Sequence, residues 1–220
     1  MAKEVNKREY AYEKIKDLII NNEVPAGSFL DEKKLLDLLN ISGTPVREAV
    51  QKLQTEGFVT HIKGKGTFVN EIKLEDLIYA FELREVLEPF AIKLSIKSIT
   101  DNEIKAMQQN INEQISLRKK GYYKKYIEKD MDFHHIYLKS AKNSMLIDFL
   151  DVILQKCKRY SLSLFKDITE SIDVVAEHES VLEAIKEKNT EKAEKLILEH
   201  LKRTREYNIN RLIDKTSNRE

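Results

Sequence analysis

The sequence ISGTPVREAVQKL, residues 41–53, decides the fold of the first seventy residues. Thr44 and Pro45 predict a helix start, with threonine as the N-cap and proline at the first helical position, where a missing N–H costs no hydrogen bond. The apolar residues that follow recur at i, i+3, i+4 and i+7, namely Val46, Ala49, Val50 and Leu53. Arg47 and Gln51 then lie on the opposite, polar side. The pattern predicts a helix that packs through its back and presents its front to a partner.

Short elements flank this helix on both sides. Apolar spacing predicts helices over residues 9–21 and 32–39, and the central helix extends to about Glu56. Residues 58–62 and 67–69 favour strands, and the Lys-Gly-Lys-Gly sequence between them supplies a hairpin tip. Three short helices followed by a two-stranded wing predict a winged helix-turn-helix domain over residues 1–70.

The rest of the chain, residues 71–220, is predicted to be helical. Only Pro89 and Gly121 break the pattern after residue 70, and no strand pattern occurs there. Helices are predicted near residues 74–98, 101–120, 122–140, 144–166, 173–188 and 190–214, with one of the breaks at 167–169. The fold class is therefore mainly α, with an antiparallel bundle of about six helices as the second domain.

Composition narrows the class of protein. The chain has 220 residues, of which 41% are hydrophobic, and its 38 Lys and Arg residues nearly balance its 37 Asp and Glu residues. A nucleic-acid contact must therefore depend on local placement of basic residues. The single cysteine, Cys157, cannot form an internal disulfide, and neither a signal segment nor a stretch of eighteen apolar residues is present. These features predict a cytoplasmic protein that does not enter a membrane.

Stretches on both sides of the central motif extend it into a family pattern. Residues 25–35, 41–53, 56–59 and 66–69 together resemble the DNA-binding domain of the GntR family of bacterial transcription regulators. The stretch ELREVLEP, residues 82–89, resembles the start of the FCD effector domain of the FadR subfamily. The resemblance implies that the protein is a regulator and not an enzyme. It further implies a homodimer that binds a palindromic operator in double-stranded DNA, and repression of transcription is the commoner outcome in the family.

The family pattern also implies which residues contact DNA. An arginine at position 47 can make a bidentate contact to guanine, worth about 1–3 kcal/mol of discrimination. The other residues implied to bind DNA are Lys33 and Thr44, Gln51 as a compensating contact, and Lys63, Gly64 and Lys65 on the wing. Members of the family commonly carry an arginine where this chain has Gly43. Either the operator sequence is altered or the affinity is lowered, with Gln51 or His61 compensating.

A metal site is predicted in the helical domain. Asp130 and His134 are four residues apart and share one helix face, and His178 and His200 lie on two later helices. One carboxylate and three imidazoles suit zinc, nickel or manganese. Metal-binding FCD domains resemble this chain at all four positions. His135 and Asp132 point to other faces and are predicted to stay outside the site.

An ion with open coordination positions could bind a small carboxylate effector. Arg84 either makes a second contact to that carboxylate or forms an ion pair with Glu88 along its own helix. The general layout of the family implies that Arg159 and Tyr160 face the same cavity. Two rival readings are a metal-dependent enzyme acting on a small organic acid, which lacks a nucleophile motif, and a purely structural metal.

Overall fold

A computed structural model describes residues 6–164 and 174–217. The chain divides into two compact units, Met1–Ile72 and Lys73–Glu220, two residues beyond the predicted boundary. The predicted break at residues 167–169 lies outside the described residues. Within the described ranges, no helix combines the length and the apolar character needed to span a membrane.

The first unit is a winged helix-turn-helix, as predicted. Its elements are α1 (Lys7–Ile20), α2 (Glu32–Leu39), α3 (Gly43–Thr55), β1 (Val59–Ile62) and β2 (Gly66–Val69). The two strands pair antiparallel, with Val59 opposite Val69. Asp31 caps α2 by accepting hydrogen bonds from the first backbone N–H groups of that helix.

The apolar back of α3 forms the centre of this unit. Val46, Ala49 and Leu53 are fully buried, and so are Ile15 and Ile19 on α1, against which α3 packs. Each large aliphatic side chain buried in this way contributes about 1.5–3 kcal/mol of transfer free energy. The packing holds α3 by one side and leaves its polar side to the solvent.

The predicted start of α3 was wrong by two residues, both for the N-cap and for the first helical residue. The helix begins at Gly43 with Ser42 at the N-cap, so Thr44 is the second helical residue and no side chain caps the end. Pro45 is the third helical residue, and it is tolerated because the first four N–H groups of any helix lack an intrahelical acceptor.

The second unit contains the six predicted helices. They are α4 (Leu74–Ser95), α5 (Asp101–Lys119), α6 (Tyr123–Ser140), α7 (Ser144–Leu164), α8 (Val175–Lys186) and α9 (Thr190–Ser217). Helix α4 packs against α6, α7 and α9, while α8 packs against α5 and α9. The predicted cap of α5 is present as a reciprocal capping box between Thr100 and Glu103.

Candidate metal centre and DNA-binding face

Three histidines from three different helices meet inside the bundle. His134 on α6, His178 on α8 and His200 on α9 are 0%, 0% and 2% exposed. One ligand nitrogen of each lies within 4.8 Å of the others. Nitrogen ligands of one tetrahedral ion with bonds of about 2.1 Å lie about 3.4 Å apart. The three rings are therefore close enough to bind one ion after side-chain movements of about 1 Å.

Each of these imidazoles is oriented by a hydrogen bond from its Nδ1–H. The acceptors are Glu88 Oε2 for His134 (2.7 Å), Gln114 Oε1 for His178 (3.1 Å) and Glu177 Oε2 for His200 (2.8 Å). Because a carboxylate or amide oxygen can only accept, the proton of each neutral ring lies on Nδ1. The lone pair on Nε2 is then available to a metal, which is the usual arrangement around a metal-binding histidine.

Asp130 approaches this group through His178. Its Oδ1 atom is 3.6 Å from His178 Nε2, which is too far for a hydrogen bond. Both atoms are buried, and neither has a hydrogen-bond partner among the described residues. Unsatisfied buried polar atoms each cost about 1–3 kcal/mol. A cation coordinated by both atoms would remove that cost, so these residues fit a divalent metal.

Burial keeps two of the imidazoles neutral. It lowers the pKa of His178 well below the ordinary value, and electrostatic repulsion from the neighbouring basic groups, Arg84 among them, lowers it further. Burial also lowers the pKa of His134, outweighing the opposite effect of the Glu88 carboxylate. Both rings are therefore neutral at pH 7, with no proton on Nε2, which is the form that binds a metal.

Arg84 forms the intrahelical ion pair with Glu88. Its Nε donates to Glu88 Oε1 at 2.5 Å, and both side chains are buried. Burial opposes the charge on Glu88, but Arg84 outweighs it and holds the pKa of the carboxyl below its usual range. Arg84 Nη2 is 3.4 Å from both ring nitrogens of His134. The pair therefore adjoins the three histidines without adding net positive charge.

Two of the remaining bundle residues named from the sequence contact partners other than the three histidines. His135 lies outside the histidine group, with Nε2 at 2.8 Å from Asp151 Oδ1. Asp132 Oδ2 is 3.7 Å from Lys129 Nζ, so it also belongs elsewhere. Arg159 and Tyr160 on α7 are 6% and 5% exposed, and burial lowers the pKa of the Arg159 guanidinium.

The predicted DNA contacts of the first unit are all exposed. Thr44, Arg47 and Gln51 are on successive turns of one side of α3. Lys33 is exposed on α2, and Lys63, Gly64 and Lys65 form the turn between the two wing strands. Gly64 has a φ of +77°, a conformation that glycine adopts without strain.

Gly43 leaves room that Arg47 uses. A Cβ atom at position 43 would lie 3.5 Å from Arg47 Nη2, an ordinary van der Waals distance. The guanidinium therefore extends back towards the start of α3. The position tolerates a larger side chain because only a flexible arginine would have to move.

Several neighbours of these sites were not predicted from the sequence. Gln114 and Glu177 orient two of the histidines, and Glu88 was considered only as a partner of Arg84. Arg8 Nε lies 3.8 Å from Glu48 Oε2, so a second guanidinium borders the outer side of α3. No spacing rule links Gln114 to His178, which is 64 residues away.

Comparison with known proteins matches each of the two units to a protein family. Residues 7–69 match the gntR family of bacterial regulatory proteins, and residues 79–203 match the FCD domain. The Nta operon transcriptional regulator of Aminobacter aminovorans is 38% identical over 88 residues, which are 40% of this chain and 42% of that protein. The transcriptional repressor RspR of Escherichia coli K12 is 21% identical over 183 residues, 83% of this chain and 80% of that protein.

Among solved structures, E. coli McbR/YncC has the same fold. It superposes with a TM-score of 0.82 and 19% identity, covering 90% of this chain and 95% of that one. The relatives named above are transcriptional regulators and not enzymes, so the enzyme alternative has no support. FCD domains are often metal-binding, and this one contains the three-histidine group. The chain belongs to the GntR family of bacterial transcriptional regulators and has an FCD domain as its second unit.

Proposed function

We propose that this regulator is a repressor whose operator affinity is controlled by a small carboxylate bound at a metal in the FCD domain. The observation that carries the proposal is the group formed by His134, His178 and His200. All three rings have Nδ1 engaged, and the buried Nε2 of His178 and Oδ1 of Asp130 have no partner among the described residues.

The four residues Asp130, His134, His178 and His200 would hold the ion, which we expect to be zinc, nickel or manganese. When bound, the ion would offer open coordination positions to a carboxylate. The chain itself supplies the orientation, since Glu88, Gln114 and Glu177 keep the imidazoles in one tautomer. It also excludes water, because the three rings are almost fully buried.

Arg84 and Arg159 are the cations proposed to bind the effector. Arg84 is engaged by Glu88, so an effector carboxylate would compete with that side chain for the guanidinium. Glu88 also accepts the hydrogen bond from His134 and another from Tyr137. Effector binding would therefore disturb contacts that join α4 to α6. A shift of this kind changes DNA affinity only as far as the effector prefers one arrangement over the other.

The DNA-binding role is assigned to the exposed side of α3 and to the wing. Side chains near the N-terminus of such a helix reach base edges in the major groove, and the basic wing residues contact phosphates. Two copies related by a two-fold axis would bind the two halves of a palindrome.

An apolar stripe on α4 supports the homodimer. It consists of Tyr79, Leu83, Val86 and Phe90, which are 59%, 41%, 70% and 48% exposed. Their spacing of four, three and four residues places them along one side of the helix, as in a coiled-coil seam. A stripe of this kind exposed in a monomer would favour association, and a second copy presents the same surface.

Introducing charge into this stripe should dissociate the dimer. Replacing Val86 and Phe90 with glutamate places two carboxylates in the proposed seam, where each would lose its hydration. Sedimentation equilibrium should then give the mass of one chain, whereas the unmodified protein gives two. Leu38→Glu is the matched control, because Leu38 is 64% exposed on α2, outside the stripe. A dimer that persists in the double variant would place the interface elsewhere.

Adding the arginine that is common in the family should strengthen DNA binding. In Gly43→Arg, a second guanidinium at the start of α3 gains a phosphate or base contact, worth about 1 kcal/mol or about fivefold per half-site. Fluorescence anisotropy with a labelled operator measures the change. Gly43→Ala is the control for helix propensity. Equal affinities of the arginine and alanine variants would show that position 43 does not reach DNA.

The proposed function can be tested with an operator selected from a random duplex library. Metal-loaded protein and chelator-treated protein are each titrated with a panel of small carboxylates while operator binding is followed. We expect at least one carboxylate to weaken operator binding of the metal-loaded protein and to have no effect after chelation. If no carboxylate alters the affinity in either state, the metal is structural and the proposed control is wrong.

A further inference from the structure

Five basic side chains cluster where α5 ends and α6 begins. We call this segment the basic turn, defined by Arg118, Lys119, Lys120, Lys124 and Lys125. The four lysines are exposed, and none forms an ion pair with a carboxylate of the described residues. Many other lysines of the same unit do pair, for example Lys129 with Glu113 at 2.8 Å. The chain carries a formal net charge of +1, so the rest of it is net negative.

The position of two of these lysines is electrostatically unfavourable. Lys124 and Lys125 lie in the first turn of α6, which has Tyr122 at the N-cap, no side-chain cap and no acidic residue. The N-terminal end of a helix carries partial positive charge, so each cation there is repelled, most strongly at low ionic strength. Arg118 and Lys119, at the C-terminal end of α5, are instead in a favourable position. Helix stability therefore explains the cations of α5 and not those of α6.

The nearby carboxylates are already engaged. Lys125 lines a shallow groove together with Glu113 and Glu128. Glu113 pairs with Lys129, and Glu128 Oε1 is 3.9 Å from Lys158 Nζ. Tyr122, 56% exposed, lies beside the cluster, with its ring centroid 5.9 Å from Lys125 Nζ. The four lysines of the basic turn thus form an exposed cationic surface without ion pairs to carboxylates in the described part of the unit.

We infer that the basic turn is a second DNA-binding surface, which contacts the phosphate backbone of duplex DNA outside the operator. The inference rests on the proposed DNA binding by α3. Lysines on flexible stems bind phosphates as point charges and read no bases, so the contact would be independent of sequence. Once α3 holds the operator, neighbouring phosphates are present at high effective concentration. DNA is therefore favoured over an acidic protein or a membrane surface.

The test uses the full chain with the four lysines 119, 120, 124 and 125 replaced by glutamine. The matched control replaces Lys97, Lys105, Lys139 and Lys202 with glutamine. These lysines are also exposed in the second unit, so the control removes the same charge. Affinity is measured over a range of salt concentrations for an operator of about 20 base pairs and for the same operator within about 60 base pairs. Each phosphate contact contributes about 0.9 to the slope of log affinity against log salt concentration.

For the unmodified chain and the control we expect tighter binding and a steeper salt slope on the long duplex. The basic-turn variant should bind the short operator normally and lose the gain on the long duplex, about tenfold, with a slope smaller by about 2–4. If that variant binds both duplexes as the control does, the inference is wrong. It is also wrong if the variant and the control differ only in a parallel measurement of binding to vesicles that contain anionic phospholipid.

Failure of the proposed operator binding gives a different result from failure of the second DNA-binding surface. An unmodified chain that does not distinguish the operator from unrelated duplex DNA would contradict operator binding through α3. The basic-turn variant can still be compared with the control on unrelated DNA, where a weaker affinity and a smaller salt slope support the second surface. Equal affinities and slopes there count against it.

Discussion

Replacing His178 and His200 together with alanine should reduce the metal content from about one ion per chain to almost none. Two of the three buried imidazoles are lost, and the remaining Asp130 and His134 come from adjacent turns of one helix. Two ligands leave most of the coordination shell to water, so the affinity for a transition metal falls steeply. Elemental analysis after dialysis against a small excess of metal measures the change.

His135→Ala is the control, because His135 is adjacent to a predicted ligand and bonds to Asp151 instead. His178 also stacks on Phe133 at 4.1 Å, so the alanine pair could loosen the bundle. A glutamine pair at the same two positions keeps more of the side-chain volume and should lose metal equally. Circular dichroism checks that the helices remain. An unchanged metal content in both pairs would refute the assignment.

We expect the same variants to differ in how metal changes their melting temperature. A ligand that binds only the folded state at one hundred times its dissociation constant stabilises the fold by about 2.7 kcal/mol. Adding metal should therefore raise the melting temperature of the unmodified chain and of His135→Ala. It should leave the melting temperature of the two double variants unchanged, which separates loss of the site from general destabilisation.

Arg47→Ala should abolish selective operator binding. A bidentate contact to guanine contributes about 1–3 kcal/mol of discrimination, and a dimer on a palindrome makes it twice. The expected loss is therefore about 30-fold to 10⁴-fold in operator affinity, with a smaller loss on unrelated DNA. Gel shift with operator and scrambled duplex measures both. Arg47 is exposed on a helix that packs through its opposite side, so the fold should be unaffected.

Lys14→Ala is the charge-matched control, since Lys14 is exposed on α1. Arg47→Lys gives a sharper distinction, because lysine keeps the charge and loses the planar fork of donors. It should retain binding to unrelated DNA and lose operator selectivity. If the alanine variant at position 47 binds the operator as well as the variant at position 14, direct readout by Arg47 is wrong.

Much of the fold could be predicted because its determinants are local. The period of apolar residues in α3 specifies which side packs, and Val46, Ala49 and Leu53 are all buried. Thr100 and Glu103 predict the start of α5 because the capping box involves residues only three apart. The start of α3 was misplaced because the rule that puts Thr44 at the N-cap assumes a side-chain hydrogen bond, whereas the helix begins after Ser42 without one.

The site was harder to predict beyond its titratable residues. The stripe on α4 has an apolar pattern that a buried helix face would also show, so only the exposure of Val86 and Phe90 identifies it as a surface. Glu88 could equally have been an ordinary surface carboxylate. Its role depends on Arg84 one turn away and on His134, which is 46 residues along the chain.

The amino-acid sequence by itself determined the winged module, the six helices of the bundle, and the residue types that could bind DNA or a metal. These follow from periodicity, capping and side-chain chemistry, which act over a few residues. Only the tertiary structure decided that His134, His178 and His200 meet, that Arg84 pairs with Glu88, and which oxygen accepts from each imidazole. Such contacts depend on how separate helices pack, and helix packing is set by the summed burial of many side chains, which no short segment encodes.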